Sequence, residues 1–229
     1  MHADFAATAA VVRLLEHAGV DALPIKGCVF SALVRGDPGF RPSQDIDLLI
    51  RARDRERAVA AFEAEGFEAR PRSNGLIREV HLVHPQHVCI DLHWSPAGAS
   101  MSLPLDFAML WNERQVVRHG ESSVPYPGLP WLVVLTALFA LRKLPWVERR
   151  YIDDLAALVE RFPDLDWPRA HEVAEATRTV LMTTVALHLV ERLGLAALPT
   201  AASAGFPLDT RSARLIDEIR PLFEDGRAE

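Results

Sequence analysis

Two aspartates stand two residues apart at the start of an apolar segment, in the run DIDLLI at residues 45–50. Alternate residues of a strand point to the same face, so a strand beginning here would project Asp45 and Asp47 together. Two neighbouring carboxylates repel each other, and a divalent cation between them is the usual remedy. The pair therefore predicts a metal site. The alternative is a polar strand end whose aspartates keep a sheet edge soluble.

A third aspartate lies in the alternating segment HVCIDLHW at residues 87–94. If this segment is a strand, Asp91 points away from the apolar face that its two neighbours form. Three carboxylates can hold two Mg²⁺ ions, or Mn²⁺ in their place, while phosphate and water oxygens complete the coordination. Such sites activate a hydroxyl and neutralise a leaving pyrophosphate. We therefore predict Asp45, Asp47 and Asp91 as metal ligands and catalytic residues of a phosphoryl or nucleotidyl transfer.

A phosphate site is predicted at residues 25–28, where a short apolar strand, a glycine and the start of a helix follow one another. Free N–H groups and the dipole at a helix N-terminus attract an anion, and glycine lets it approach the backbone closely. The predicted nucleotide-binding residues are Lys26, Gly27, Cys28, Arg41 and Ser43. The alternatives are a solvated strand end for Lys26 and a structural ion pair with the aspartates for Arg41.

Histidines accompany the third aspartate. His93 shares a strand face with Asp91, so it could contact a phosphate, orient a carboxylate or contact the acceptor. A half-buried histidine bonded to the backbone is the alternative. His81, on the neighbouring hairpin, could contact the acceptor or support the carboxylates, and a loop residue without a role in the site is the alternative. The spacing of His81 and His84 puts them on opposite faces of a strand, which argues against a zinc site.

Composition limits the class of protein. The chain has 229 residues, which suits one large domain or two small ones, and 49% of them are hydrophobic. A net charge of −6 argues against general nucleic-acid binding. The two cysteines lack a metal-binding spacing, and no signal peptide is expected. The apolar run at residues 131–141 is too short to cross a bilayer. These features favour a cytoplasmic protein without a membrane partner. The oligomeric state is not predicted.

The order of predicted elements favours an α+β fold. Hydrophobic periodicity and capping residues predict helices at 5–17, 28–34 and 54–65. Alternation predicts strands at 21–25, 45–50, 67–72, 76–83 and 87–94. The turn Ser73-Asn74-Gly75 would join the third and fourth strands into a hairpin. Three consecutive strands after an alternating start indicate a small mixed sheet flanked by helices.

The second half is predicted to be a helical C-terminal domain. A short helix at 105–112 and edge strands within 115–124 precede the proline-rich segment 125–130, which we predict to be a linker. Helices are predicted beyond it at 131–143, 147–160, 167–193 and 210–223. We therefore predict a catalytic domain at 1–125 and a helical domain at 126–229 that closes the cleft and contacts the acceptor.

Three motifs in this order support a family resemblance: IKG at 25–27, RPSQDIDLLI at 41–50 and IDLHW at 90–94, followed by Trp146 and YIDDLAAL at 151–158. In these motifs the chain resembles the uncharacterised nucleotidyltransferase family of bacteria, a branch of the DNA polymerase β-like nucleotidyltransferase superfamily. The resemblance covers residues 14–198 and implies a mixed sheet flanked by helices, two-metal chemistry and a nucleoside triphosphate donor. Where the superfamily usually has Gly-Ser, this chain has Gly27-Cys28, and a thiol is a weak hydrogen-bond donor.

The expected function is transfer of a nucleoside monophosphate from a nucleoside triphosphate such as ATP to a hydroxyl of a small-molecule or peptide acceptor, with release of pyrophosphate. The second hypothesis is a catalytically degenerate member of the same fold that binds a partner or a nucleotide without turnover. Stabilisation by Mg²⁺ and a triphosphate would favour the enzyme, and no such response would favour the binding module.

Overall fold

The computed structural model describes residues 4–40, 43–71, 78–96, 103–142, 144 and 148–224. The chain forms two compact units, Met1–Gly128 and Leu129–Glu229. The first unit holds the seven strands found among the described residues, and the second is built from helices. The predicted α+β class, a mixed sheet flanked by helices and followed by a helical C-terminal part, is confirmed.

The elements of the first unit follow the predicted order. Its helices are α1 (Phe5–His17), α2 (Cys28–Arg35), α3 (Arg55–Ala64) and α4 (Phe107–Asn112). Its strands are β1 (Ala22–Pro24), β2 (Asp45–Ile50), β3 (Glu68–Pro71), β4 (Glu79–Val83), β5 (Cys89–His93), β6 (Gln115–His119) and β7 (Ser122–Tyr126). Helix α1 begins where its sequence predicts, because the side chain of Asp4 accepts a hydrogen bond from the backbone N–H of Ala7.

Five strands form one sheet in the order β1-β2-β5-β4-β3. Strands β2 and β5 are parallel, and the other three neighbouring pairs are antiparallel. Alternation gives the central strands one fully apolar face, to which Ile46, Leu48, Ile90 and Leu92 contribute buried side chains. The opposite face carries the acidic and histidine side chains. The sheet thus separates the core from the polar groups.

Two of the predicted loops are the hairpin turn at residues 73–75 and the linker at 125–130. The predicted hairpin turn at residues 73–75 lies outside the described residues, although the strands on either side of it pair antiparallel. The predicted linker at 125–130 is wrong at both ends, because Pro125 and Tyr126 belong to β7 and the next helix (Leu129–Leu141) already begins at Leu129. Strand β7 pairs with β6 in a two-stranded sheet, and proline is tolerated in such edge strands. Burial of Tyr126 and Val124 holds this strand in place.

The second unit is an assembly of helices around one buried helix. Its helices are α5 (Leu129–Leu141), α6 (Arg149–Arg161), α7 (Trp167–Ala176), α8 (Val180–Arg192), α9 (Thr200–Gly205) and α10 (Thr210–Glu224). Every residue of α5 from Trp131 onward is buried, as expected for a helix that is apolar on all sides. Helix α5 packs against α6, α7 and α8. None of the described helices has the length and apolar character to cross a membrane.

The predicted single helix at 167–193 is wrong, since a turn divides it into α7 and α8. Arg178 has a φ of +57° at this turn. The N–H of Thr179 donates to the carbonyl of Ala174 at 2.8 Å, and the N–H of Arg178 donates to the carbonyl of Glu175 at 3.0 Å. This pair of bonds is the Schellman ending of a helix, which usually uses glycine at the left-handed position. Because Arg178 stands where a glycine is usual, the sequence pattern gave no sign that the helix ends there. The short helix α9 was also not predicted.

Candidate active site

Asp47 and Asp91 lie directly opposite each other on the parallel strands β2 and β5. In the same register Asp45 lies opposite Cys89. The period of two places Asp45, Asp47 and Asp91 on the polar face of the sheet, so the structure brings the three predicted carboxylates to one region of that face.

Asp47 is held by two cationic side chains. The Nζ of Lys26 lies 2.7 Å from Asp47 Oδ1, and the Nε2 of His93 lies 3.0 Å from the same oxygen. The side chains of Lys26 and Asp47 are only 12% and 10% exposed. Burial alone would raise the pKa of Asp47, but the hydrogen bond from His93 and the charge of Lys26 outweigh it, so that the pKa is lowered. Asp47 is therefore ionised, and Lys26 is not a solvated strand end.

His93 bridges two carboxylates. Its Nδ1 lies 2.9 Å from Glu79 Oε2, while its Nε2 faces Asp47. Burial lowers the pKa of His93, but the hydrogen bonds to Asp47 and Glu79 have the larger combined effect, and the pKa is raised. Ionised carboxylates only accept hydrogen bonds, so both ring nitrogens donate. His93 is thus a buried imidazolium whose nitrogens both serve carboxylates, and neither is left for a backbone carbonyl.

Asp91 has its own histidine partner. The Nδ1 of His81, on β4, lies 2.6 Å from Asp91 Oδ1. Asp91 is buried, whereas His81 is partly exposed, so one edge of this pair borders solvent. The pairing follows from the register of β4 against β5, in which His81 lies opposite Asp91.

Three side chains fit a divalent cation. Asp47, Asp91 and His93 each offer one ligand atom within 4.8 Å of the others, and they form one such group among the described residues. The carboxylate oxygens of Asp47 and Asp91 are chemically suited to such an ion, whereas His93, with both nitrogens donating to carboxylates, would have to lose a proton before it could ligate one. Asp45 is not in this group. Its Oδ1 accepts a hydrogen bond of 3.0 Å from the hydroxyl of Ser43, and its role as a ligand stays a prediction.

The predicted phosphate site begins at Gly27, the residue that precedes helix α2. Gly27 has a φ of +74°, and no side chain caps the helix there. A Cβ on Gly27 would lie 3.7 Å from Ser43 Cβ, so these two predicted residues are neighbours. The thiol of Cys28 instead lies 3.2 Å from Thr8 Oγ1 of α1 and is buried. Only the backbone of Cys28 can therefore serve the predicted role. Arg41 lies outside the described residues.

Glu79 is the site residue that was not predicted. It lies on β4 two residues before His81, so both side chains share the polar face by the strand period. That period was the available signal. It was insufficient, because only the register with β5 places Glu79 opposite His93.

Three solved structures are similar to this chain at low sequence identity. A lincosamide antibiotic adenylyltransferase, LnuA, with lincomycin bound is 13% identical, covers 69% of this chain and 98% of its own, and has a TM-score of 0.49. The antibiotic-resistance factor ANT(2'')-Ia is 13% identical over 74% of this chain and 88% of its own, with a TM-score of 0.47. An antigenic nucleotidyltransferase-like protein from Paracoccidioides brasiliensis is 14% identical over 90% of this chain and 99% of its own, with a TM-score of 0.48.

No curated protein matches this chain. The profile described as "Uncharacterised nucleotidyltransferase" matches residues 5–194, which include both aspartate strands, the Lys26-Gly27 segment and helices α5 to α8. By this match, the chain belongs to the uncharacterised nucleotidyltransferase family.

Proposed function

We propose that this protein transfers a nucleoside monophosphate from a nucleoside triphosphate to a hydroxyl group of an acceptor. The observation that carries the proposal is the pairing of Asp47 with Asp91 on adjacent parallel strands, beside a buried histidine, in a chain of the nucleotidyltransferase family. The acceptor oxygen forms a bond to the α-phosphorus, the bond from that phosphorus to the β-phosphate oxygen breaks, and pyrophosphate leaves with its electron pair.

The carboxylates of Asp45, Asp47 and Asp91 are the proposed ligands for Mg²⁺ or Mn²⁺, two ions in all. Bound ions of this kind lower the pKa of an attacking hydroxyl and neutralise charge on the triphosphate. Asp47 is already ionised and fixed by Lys26 and His93, so it needs neither deprotonation nor a rotamer search to coordinate a cation. Asp91 either accepts the proton of the acceptor hydroxyl as the general base, or holds a metal ion that would acidify this hydroxyl so that its proton passes to water.

The triphosphate is proposed to lie at the N-terminus of α2. The uncapped N–H groups beyond Gly27 can donate to phosphate oxygens, and the positive φ of Gly27 fixes the chain direction there. The hydroxyl of Ser43 lies beside this turn, and the ammonium of Lys26 is next to it in sequence. Arg41 is proposed as a further cation for the triphosphate. Together these groups would supply donors and positive charge for the leaving pyrophosphate.

The acceptor is proposed to be a small molecule or a peptide with a free hydroxyl. The side chain of His81 is 25% exposed, whereas that of Asp91, which it contacts, is buried. A hydroxyl that approaches Asp91 from the edge of this pair that borders solvent would meet His81 first. That the helical unit closes the cleft and supplies further acceptor contacts stays a prediction.

Thermal unfolding with each of the four nucleoside triphosphates, with and without Mg²⁺ or Mn²⁺, tests the binding part of the proposal. We expect metal-dependent stabilisation by at least one triphosphate, which follows from ligand binding to the folded state alone. Asp47→Asn should remove this response. Asp217→Asn, an exposed aspartate on α10, is the matched control and should keep it. A wild-type protein that does not respond to metal or nucleotide would favour the non-catalytic binding module.

Incubation with labelled triphosphates and a cell extract, followed by mass spectrometry, tests the chemistry. The expected product is an acceptor heavier by one nucleoside monophosphate, with one pyrophosphate released for each transfer. Asp91→Ala should form none of it. The same products from the wild type and from Asp91→Ala would contradict the catalytic assignment of Asp91.

A further inference from the structure

We infer that Glu79 and His93 are a positioning pair that orients the carboxylate of Asp47 for metal binding. The inference rests on the proposed function and adds to it two residues that act through Asp47 rather than as ligands. It follows from a chain of contacts that crosses three neighbouring strands of the sheet: Glu79 on β4, His93 on β5 and Asp47 on β2.

The imidazole of His93 is held at both of its ring nitrogens. Glu79 Oε2 lies 2.9 Å from Nδ1 of His93, and Asp47 Oδ1 lies 3.0 Å from Nε2. A ring held at both nitrogens cannot rotate about its side-chain bonds without breaking one contact. His93 is also buried, so its surroundings restrict it further. Glu79 therefore sets the direction in which His93 points, and His93 in turn sets the position of Asp47.

The carboxylate of Asp47 is held through one of its two oxygens. Both cationic donors, Lys26 Nζ and His93 Nε2, converge on the same oxygen, Oδ1. Two donors on one oxygen fix the plane of the carboxylate. They also direct Oδ2 away from Lys26 and His93, which leaves this second oxygen to bind a cation. Ligand carboxylates in metal sites are commonly oriented by such hydrogen bonds, and loss of one typically weakens metal binding by about 10- to 100-fold.

Glu79 is a largely buried carboxylate that needs a partner. Its side chain is 17% exposed and lies on the face of the sheet that carries Asp45, Asp47 and Asp91, so it adds a fourth carboxylate to this face. A carboxylate of this kind is costly unless it is paired. Its pairing with the second nitrogen of His93 gives the charge a function, since it holds the ring in the orientation that Asp47 needs.

Manganese binding to the purified full-length protein tests the inference without requiring an acceptor. Free Mn²⁺ is measured by electron paramagnetic resonance for the wild type, for Glu79→Gln, and for Glu68→Gln. Glu68 is a matched control, because it is an exposed glutamate on the neighbouring strand β3 that pairs with Arg70. We expect Mn²⁺ affinity to fall about 10- to 100-fold in Glu79→Gln and to change less than about 2-fold in Glu68→Gln.

Two further measurements separate orientation from folding and from direct ligation. The metal-free thermal midpoint of Glu79→Gln should stay close to that of the wild type, since glutamine has the size and shape of glutamate and only the charge that holds the His93 ring is lost. Electron spin echo spectra of bound Mn²⁺ should show no directly coordinated ¹⁴N in the wild type. His81 also has a ring nitrogen beside Asp91, so the decisive spectrum is that of His81→Gln: a strong ¹⁴N coupling that persists there would make His93 a ligand and overturn the inference.

The remaining outcomes are equally decisive. Wild-type Mn²⁺ affinity in a folded Glu79→Gln variant would overturn the inference and leave the proposed function intact. An equal loss of affinity in Glu68→Gln and Glu79→Gln would also overturn it, because a general loss of negative charge would explain both. No Mn²⁺ binding by the wild-type protein would contradict the proposed function itself, and the inference with it.

Discussion

The carboxylates of Asp47 and Asp91 face each other across the parallel pairing of β2 and β5, and a different histidine contacts each one. His93 donates to Asp47, and His81 lies against Asp91. Two acidic side chains in neighbouring strand positions would repel if nothing compensated them. Asp47 has a second cationic partner in Lys26, whose ammonium lies 2.7 Å from Asp47 Oδ1.

Asp47→Asn should destabilise the metal-free protein, although it removes one of two neighbouring negative charges. The substitution leaves Lys26 and His93 largely buried with one carboxylate fewer to pair with, and we expect a loss of about 1–3 kcal/mol in the free energy of unfolding. Urea unfolding in the presence of a chelator measures it. Asp45→Asn, on the same strand, is the control and should cost less, because Ser43 contributes a neutral hydroxyl there. A more stable Asp47→Asn protein would show that repulsion between the aspartates dominates.

Much of this site could be predicted because strand alternation is a local property. Asp45, Asp47, Asp91 and His93 were assigned to a polar face from the period of two, and the bounds of β2 agree with the prediction. Their proximity required one further assumption, namely that β2 and β5 are neighbours. The sheet order satisfies it even though β3 and β4 lie between them in sequence.

The parts that could not be predicted depend on register and on side-chain direction. Glu79 joins the site only because β4 pairs antiparallel with β5 in one register, which no local pattern encodes. Cys28 is the first residue of α2, but whether its thiol faces a phosphate or Thr8 depends on where α1 packs. The turn at Arg178 was missed because its left-handed residue is not a glycine.

The buried thiol of Cys28 should make stability depend on alkaline pH. Burial raises its pKa, and the hydrogen bond with Thr8 only partly offsets this effect. The folded protein thus holds this proton more tightly than the unfolded chain does. The contribution of Cys28 to stability is complete below the ordinary thiol pKa of about 8.5 and is lost as the pH rises through the folded pKa.

Chemical unfolding of the wild type and of Cys28→Ser between pH 7 and pH 10.5 measures this contribution. A serine hydroxyl does not titrate in this range, so the wild type should lose stability more steeply above about pH 8.5, by up to about 1.4 kcal/mol per pH unit. Tyr126 and other groups titrate equally in both proteins, so the difference between the two curves isolates Cys28. Parallel curves would mean that the thiol proton does not contribute.

Arg178→Gly should stabilise the helical unit. Arg178 is exposed and has a φ of +57°, a conformation that costs about 1–2 kcal/mol for an L-residue with a side chain. Glycine adopts it freely, although its greater freedom in the unfolded chain returns part of the gain. We expect a net increase of about 0.5–1 kcal/mol, measured by urea unfolding. Arg192→Gly, at the exposed end of α8, is the control and should destabilise, because that position is helical. The same sign in both variants would contradict the strain argument.

Gly27→Ala should disrupt the phosphate site more than it disrupts the fold. Gly27 has φ +74° and ψ −142°, a region that only glycine occupies without strain, at a cost of about 1–3 kcal/mol for alanine. The nearest atom of Ser43 would be 3.7 Å from the new Cβ, so space is adequate and the cost comes from the backbone. Relief of that strain requires rotation of the peptide at the start of α2, and this rotation would redirect the N–H groups proposed to bind phosphate.

Gly36 provides the matched control for this prediction. It ends α2 with a φ of +71° in the left-handed region, and a Cβ added there would meet no atom within 4 Å, so Gly36→Ala also places an alanine at a positive φ, but at the other end of the helix. Both variants should unfold at lower temperature than the wild type. Only Gly27→Ala should also respond less to Mg²⁺ and a nucleoside triphosphate. Its apparent affinity for the nucleotide should fall more than about 10-fold, because the proposed anion site lies at the N-terminus of the helix. Equal nucleotide affinity in the two variants would place the triphosphate elsewhere on the polar face of the sheet.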